Sequence, residues 1–135
     1  MAEEILKFTK ITFIIHFVIG LLFTILFWIP DITSPMFGIV VNPDTSAMSR
    51  TIGALFAGLT VTSLFGFLAK EWKQVKIVAI AEIAYLVVGI IAHIISFSAY
   101  EVGSVVLSLI VTIIFLVLFL LTYLQQEEII KTLWK

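Results

Sequence analysis

The sequence predicts an all-α membrane protein: four antiparallel transmembrane helices in one bundle, with both termini cytoplasmic. Three observations lead there. Of 135 residues, 61% are hydrophobic and 13% charged, where a soluble domain carries about a quarter charged, and the mean hydropathy is +1.21. Four apolar runs, at about 11–29, 51–69, 75–97 and 103–124, have the length a helix needs to cross hydrocarbon. The basic residues are also unevenly divided. Lys7, Lys10, Lys70, Lys73, Lys76, Lys131 and Lys135 fall on one side of the four spans and Arg50 alone on the other, which puts the lysine side in the cytoplasm. Trp28 is then expected at the outer boundary, and Trp72 and Trp134 at the inner one.

Residues 1–10 form a short charged lead. The run that follows is too long for a signal-peptide core and ends in Trp-Ile-Pro-Asp with no small-residue cleavage site, so it reads as a retained first span. The connection at 30–50 holds all three prolines and Gly38 and is expected to be irregular. Within it, Asn42-Pro43-Asp44 reads as a helix start: a capping side chain, proline at the first helical position and an acid in the first turn. The second span carries small residues at every fourth place, Ala54, Gly58, Thr62 and Gly66, a face expected to pack a neighbouring helix. Residues 70–76 and 98–102 are tight turns. Beyond the fourth span, with Ser104, Ser108 and Thr112 on one face, the tail at 125–135 is expected to continue as an amphipathic helix on the membrane surface.

The third span holds the costly residues. Glu82, Tyr85, Gly89, His93 and Ser96 recur at steps of three or four, so they form one polar stripe that must face protein. A central carboxylate costs roughly 2.5–3.5 kcal/mol even on a lenient insertion scale. At 1.5 Å per residue, Glu82 lies about 9 Å in from Lys76 and His16 about 9 Å in from Lys10. The two therefore share a level and are expected to pair if the first and third spans touch, with Tyr85 one turn away as a second partner. The pair reads either as a structural hydrogen bond or as a titrating carboxylate. His93 lies about 25 Å from Lys76, near the outer boundary, where Arg50, Tyr100 and Glu101 are expected to gather beside it.

Several chemistries are excluded or disfavoured. A net charge of -1 speaks against a nucleic-acid partner, and the absence of cysteine removes disulfides and thiolate metal sites. The histidines differ in depth by roughly 15 Å, too far for the axial ligands of one haem. Neither has a second ligand one turn away on its own helix, so no metal or other cofactor is expected. Catalytic triads, phosphate loops and nucleotide fingerprints do not occur.

The plan resembles small prokaryotic four-span membrane families, among them the DoxX-like proteins: one longer loop after the first span, then three tightly linked helices. The stretch Arg50-Thr51-Ile52-Gly53-Ala54-Leu55-Phe56-Ala57-Gly58 is similar to the Arg-then-Gly opening of a second span in such families. That resemblance implies the architecture and carries over no binding or catalytic residue. The small multidrug transporters also have four spans and an intramembrane acid, but in the first span, where this chain has His16.

The leading expectation is a membrane protein of the lipid bilayer that binds or moves a small lipophilic molecule, with Glu82 at the centre and His16 or Tyr85 tuning it. The alternative is an accessory or assembly subunit, docked through the second span to a partner subunit or to another copy of itself. A lipid-modifying enzyme built on Arg50, His93 and Glu101 is the third.

Overall fold

The structure, a computed structural model, describes residues 4–98 and 101–131. Among them are five helices: α1 (Lys7–Trp28), α2 (Pro30–Met36), α3 (Pro43–Leu68), α4 (Trp72–Ile95) and α5 (Val102–Gln126). No strand occurs among the described residues, only an isolated bridge between Glu4 and Glu71. The helices α1, α3, α4 and α5 are long and apolar enough to cross a membrane. Large apolar side chains such as Val18, Leu55, Ile77, Val88 and Leu107 stand exposed along them. Water would not tolerate so much contiguous apolar surface, and lipid does.

The connection after α1 departs from the irregular loop expected for 30–50. Proline suits the first helical position, where its missing N–H is not needed, so Pro30 starts α2 instead of preventing it. Pro35 falls in the last turn, and Gly38, at φ +69°, supplies the left-handed residue that ends the run. The Thr33 hydroxyl donates to the C=O of Leu26 and, at 3.2 Å, of Ile29, carbonyls that also accept backbone N–H groups, so it ties α2 back to the end of α1. The helix α3 begins at Pro43. Asn42 Oδ1 accepts from the N–H groups of Asp44 and Thr45, each at 3.0 Å, and Thr45 Oγ1 accepts in return from Asn42 N–H at 2.9 Å.

The tail is a correction. The helix does not run on from 125: α5 stops at Gln126, and Glu128 turns left-handed at φ 58°. Ile129 N–H reaches back to Leu124 C=O at 2.9 Å and Glu128 N–H to Gln125 C=O at 3.1 Å, a closed helix end. Tyr100, Leu133, Trp134 and Lys135 lie outside the described residues.

α1 and α3 run in opposite directions along a close seam. Along α1, Phe13, His16, Gly20, Phe23 and Phe27 repeat at alternating steps of three and four, the spacing that keeps a stripe on one neighbour. Gly20 meets Thr60, and a Cβ there would sit 2.5 Å from Thr60 Oγ1. Nearer the α2 end, Gly53 takes Trp28 and Phe27. At the opposite end Gly66 takes the ring of Phe13. This seam is not the expected face of Ala54, Gly58, Thr62 and Gly66. Steps of four overshoot a 3.6-residue turn by about 40° each, so that stripe winds about a third of the way round the helix. Ala54 and Gly58 end up exposed, with nothing within 4 Å of a Cβ at Gly58, and only Gly66 is buried against α1.

The dense core occupies one half of the molecule. Ile5, Phe13, Trp72, Val75, Ala79, Phe115 and Phe119 cluster near the α3–α4 connection, the start of α1 and the end of α5. Trp72, expected at a boundary, is 0% exposed, and its indole N–H donates to Glu127 Oε1 at 2.6 Å. Lys76 Nζ donates to the other Glu127 oxygen at 2.9 Å. Gln126, also fully buried, accepts from Leu6 N–H at 2.7 Å and from the Thr9 hydroxyl at 2.9 Å. Its amide donates to Glu4 C=O at 3.3 Å. At the other end, Glu101 N–H reaches Phe37 C=O at 3.3 Å, and the Ser104 hydroxyl donates to Met36 C=O.

Candidate functional site

The half nearer α2 is hollow. A cavity of about 480 Å³ lies between α1 and α3 on one side and α4 and α5 on the other. Its closed end is set by His16, Leu86 and Phe115, and its opposite end is lined by Phe37, Ile39, Met48, His93 and Ser96. One wall is a column of rings: Phe23 and Phe56 stack at 5.6 Å between centroids, Phe56 and Phe27 at 5.5 Å, and Phe27 and Phe37 at 6.1 Å. The facing wall is the stripe of α4, with Tyr85, Gly89 and His93, and the hydroxyl face of α5, Ser108 and Thr112. The Thr112 hydroxyl donates back to Ser108 C=O at 2.8 Å, so it is satisfied within its own helix. Apolar area with a few polar groups is the make-up of a small-molecule site.

His16 is held from three sides. Its ring meets Phe115 edge-on at 4.7 Å and 84°, and Phe119 at 5.1 Å and 86°. Its Nδ1 lies 2.6 Å from Ser63 Oγ, while that hydroxyl donates to Leu59 C=O at 3.0 Å. With the serine proton spent on the carbonyl, the network assigns Nδ1 as the donor to Ser63. Nε2 is then left facing Glu82 Oε2 at 3.9 Å. Equal depth thus becomes real proximity, with α1 and α4 bridged by these two side chains.

Glu82 is 1% exposed and stands just behind His16, outside the cavity lining. Its Oε1 has a long contact from the Thr62 hydroxyl, 3.4 Å, but that hydroxyl has a nearer acceptor in Leu59 C=O at 2.8 Å. Its Oε2 accepts no hydrogen bond among the described residues. An ionised carboxylate this dry needs a positive partner, and the structure offers His16. Thr62, expected as a packing residue, is instead this carboxylate's neighbour. Tyr85, expected as a partner of Glu82, makes no hydrogen bond to it among the described residues; it is 43% exposed and lines the cavity.

Among the described residues, no hydrogen bond or ion pair joins the side chains of the expected outer cluster. His93 lines the cavity, while Arg50 and Glu101 are exposed and do not. Glu101 serves instead as the residue before α5, tied by its backbone to Phe37, and Tyr100 lies outside the described residues. No group of three or more potential metal-ligating side chains comes together among the described residues. His16 and His93 sit at opposite ends of the cavity. Sequence reasoning missed Ser63, Phe115 and the ring column. The signal for Phe23 and Phe27 was present in the three-four spacing with His16 and Gly20, but uniformly apolar neighbours hide such a stripe.

No family model, no curated protein and no solved structure matches this chain, so its reading rests on this cavity and on the pair at its closed end.

Proposed function

We propose that this chain is a multi-pass protein of the cell membrane, a bundle of four antiparallel helices with both termini cytoplasmic, that binds or moves a small lipophilic molecule. The orientation draws on the seven lysines on one side against Arg50 on the other. The binding reading draws on one observation above all: the apolar cavity of about 480 Å³ that ends at His16, with Glu82 behind it. A protein whose polar pair served only to fix helix register has no need of a hollow leading to that pair.

The test is equilibrium binding of an apolar fluorophore, N-phenyl-1-naphthylamine, to the full chain in lipid nanodiscs, with Gly89→Leu as the probe of location. Gly89 lines the cavity, and a Cβ there meets only Thr112 Cγ2 at 3.6 Å, so the leucine grows into the hollow and not into packed protein. Overfilling a site costs about 1–3 kcal/mol, or roughly fivefold to 150-fold in affinity. Saturable binding that Gly89→Leu leaves unchanged removes the cavity from consideration.

A second reading, an accessory or assembly subunit, draws on the outward face of α3, where Ala54 and Gly58 are exposed and open. Small residues facing lipid let another helix approach closely. Purification from native membranes as a stable monomer with nothing attached counts against it.

A further inference from the structure

The cavity ends on a pair that is electrically neutral when it holds one proton, whichever of Nε2 and Oε2 carries it. Ser63 occupies Nδ1, so proton traffic at His16 is confined to Nε2, and Nε2 faces Glu82 Oε2 at 3.9 Å. Nothing else charged faces the pair among the described residues. From α3 come the hydroxyls of Thr62 and Ser63, from α5 the rings of Phe115 and Phe119, and from α4 the phenol of Tyr85 one turn on. Among the described residues of the lining, the one titratable side chain besides His16 and Tyr85 is His93, at the far end.

The rest of the wall decides the sign of charge it accepts. Among the described residues it contains no lysine or arginine, and Arg50 stays outside it, so an anion finds no fixed positive partner there. The aromatic faces of residues such as Phe23, Phe56 and Phe115 suit a cation. A cation arriving beside the protonated pair adds a net charge inside a low-dielectric wall, which is strongly unfavourable. If the proton leaves as the cation enters, the count is unchanged, and the charge left on Glu82 is balanced by the cation across the His16 ring, where the cavity ends.

We propose that the cavity takes up a monovalent lipophilic cation in exchange for the single proton shared by His16 and Glu82. The exchange rests on the binding reading above and adds the ligand's charge and a stoichiometry. One proton passes from the Nε2–Oε2 pair to water for each cation bound, and no covalent bond changes.

The experiment uses the full chain in nanodiscs, with empty nanodiscs as the blank. The probes are tetraphenylphosphonium and its near-isosteric anion tetraphenylborate, with a pH-indicator dye in weak buffer. The expected result is phosphonium binding with release of about one proton and an affinity that rises by up to about tenfold per pH unit. Tetraphenylborate binds more weakly and releases none, and Glu82→Gln abolishes both the release and the pH dependence. Should that variant not fold, the pH dependence of the unaltered chain still decides. Phosphonium binding without proton release and without pH dependence overturns the exchange while leaving the cavity reading intact. Preference for the borate overturns the assigned sign. If neither ion binds but N-phenyl-1-naphthylamine does, the proposal is again overturned and the binding reading survives; if no probe binds, both fall.

Discussion

Two glycines eight residues apart on α3 give a sharp test of the helix pairing that places His16. At Gly66 an added Cβ would lie 2.5, 2.6 and 2.7 Å from Cδ1, Cε1 and Cγ of Phe13, whereas at Gly58 it meets nothing within 4 Å. Carbon atoms rest at about 3.5–4.0 Å, so Gly66→Ala demands that the Phe13 ring retreat by roughly 1 Å. The ring has nowhere to go: it is 0% exposed and set edge-on against Phe119, itself 0% exposed, at 5.4 Å. Forcing a methyl into such a site costs about 1–3 kcal/mol. Alanine returns about 0.8–1.0 kcal/mol of helix propensity, equally at both positions. Gly58→Ala should therefore be neutral or slightly stabilising, and Gly66→Ala less stable than Gly58→Ala by about 1–3 kcal/mol. Phe13→Leu in the Gly66→Ala background should recover part of the loss, with a coupling above about 0.5 kcal/mol. Reversible unfolding in mixed micelles titrated with dodecyl sulfate measures all five chains: the unaltered protein, Gly58→Ala, Gly66→Ala, Phe13→Leu and the double variant. Equal effects at Gly58 and Gly66 would mean that α1 does not lie where Phe13 and His16 put it, and the site would go with it.

Two further predictions concern the dense end. Gln126→Ala strands Leu6 N–H and the buried Thr9 hydroxyl and should cost about 1–3 kcal/mol, read in the same titration, with the first residues of α1 more open to protease. Glu127 gives a pH dependence. The hydrogen bond from the Trp72 indole, then that from Lys76, holds its carboxyl below the ordinary glutamate value of 4.5. In the unfolded chain Glu127 takes up its proton first as pH falls. Its contribution is thus fully present above the unfolded value and disappears as pH falls through the folded one. Stability followed from pH 7 downward should drop on the acid side, and Glu127→Gln should flatten that drop; an unchanged acid limb refutes the assignment.

Hydropathy made the long helices legible, because length and apolarity are all that a crossing segment requires. Capping chemistry did the same for the start of α3 at Asn42. What sequence spacing does not supply is azimuth. Counting residues gives depth along a helix, and depth brought His16 and Glu82 to one level. Depth equally suggested Arg50 and Glu101 beside His93, yet neither lines the cavity that His93 lines, since side chains at one level can face any direction. The four-residue stripe from Ala54 to Gly66 failed for the same reason, by winding away from its neighbour. Prolines misled differently: Pro30 and Pro35 are breakers in mid-helix, but in a seven-residue helix they occupy a first and a last turn. Trp72 looked like a boundary anchor because sequence position does not reveal that Glu127, 55 residues on, comes back to meet it.

The same residues that close one end of the molecule fix where it can open. Gln126 joins α5 to the start of α1, Glu127 joins it to α4, and the Thr122 hydroxyl reaches Thr12 at 3.1 Å in the buried interior. At the α2 end, the hydroxyl tie from Ser104 to Met36 is exposed. A buried hydrogen bond is costly to break because its groups are left dry, while an exposed one is exchanged for water at little cost. On the binding reading proposed above, separation of the α1–α3 pair from the α4–α5 pair is therefore expected to begin at the α2 end and to pivot on the dense core. On that reading a ligand is expected to reach His16 along the ring column from that end. The His16–Glu82 pair spans α1 and α4 between the hollow and the dense core, so on the exchange proposed above a change of charge there is expected to act on the contact between those two helices.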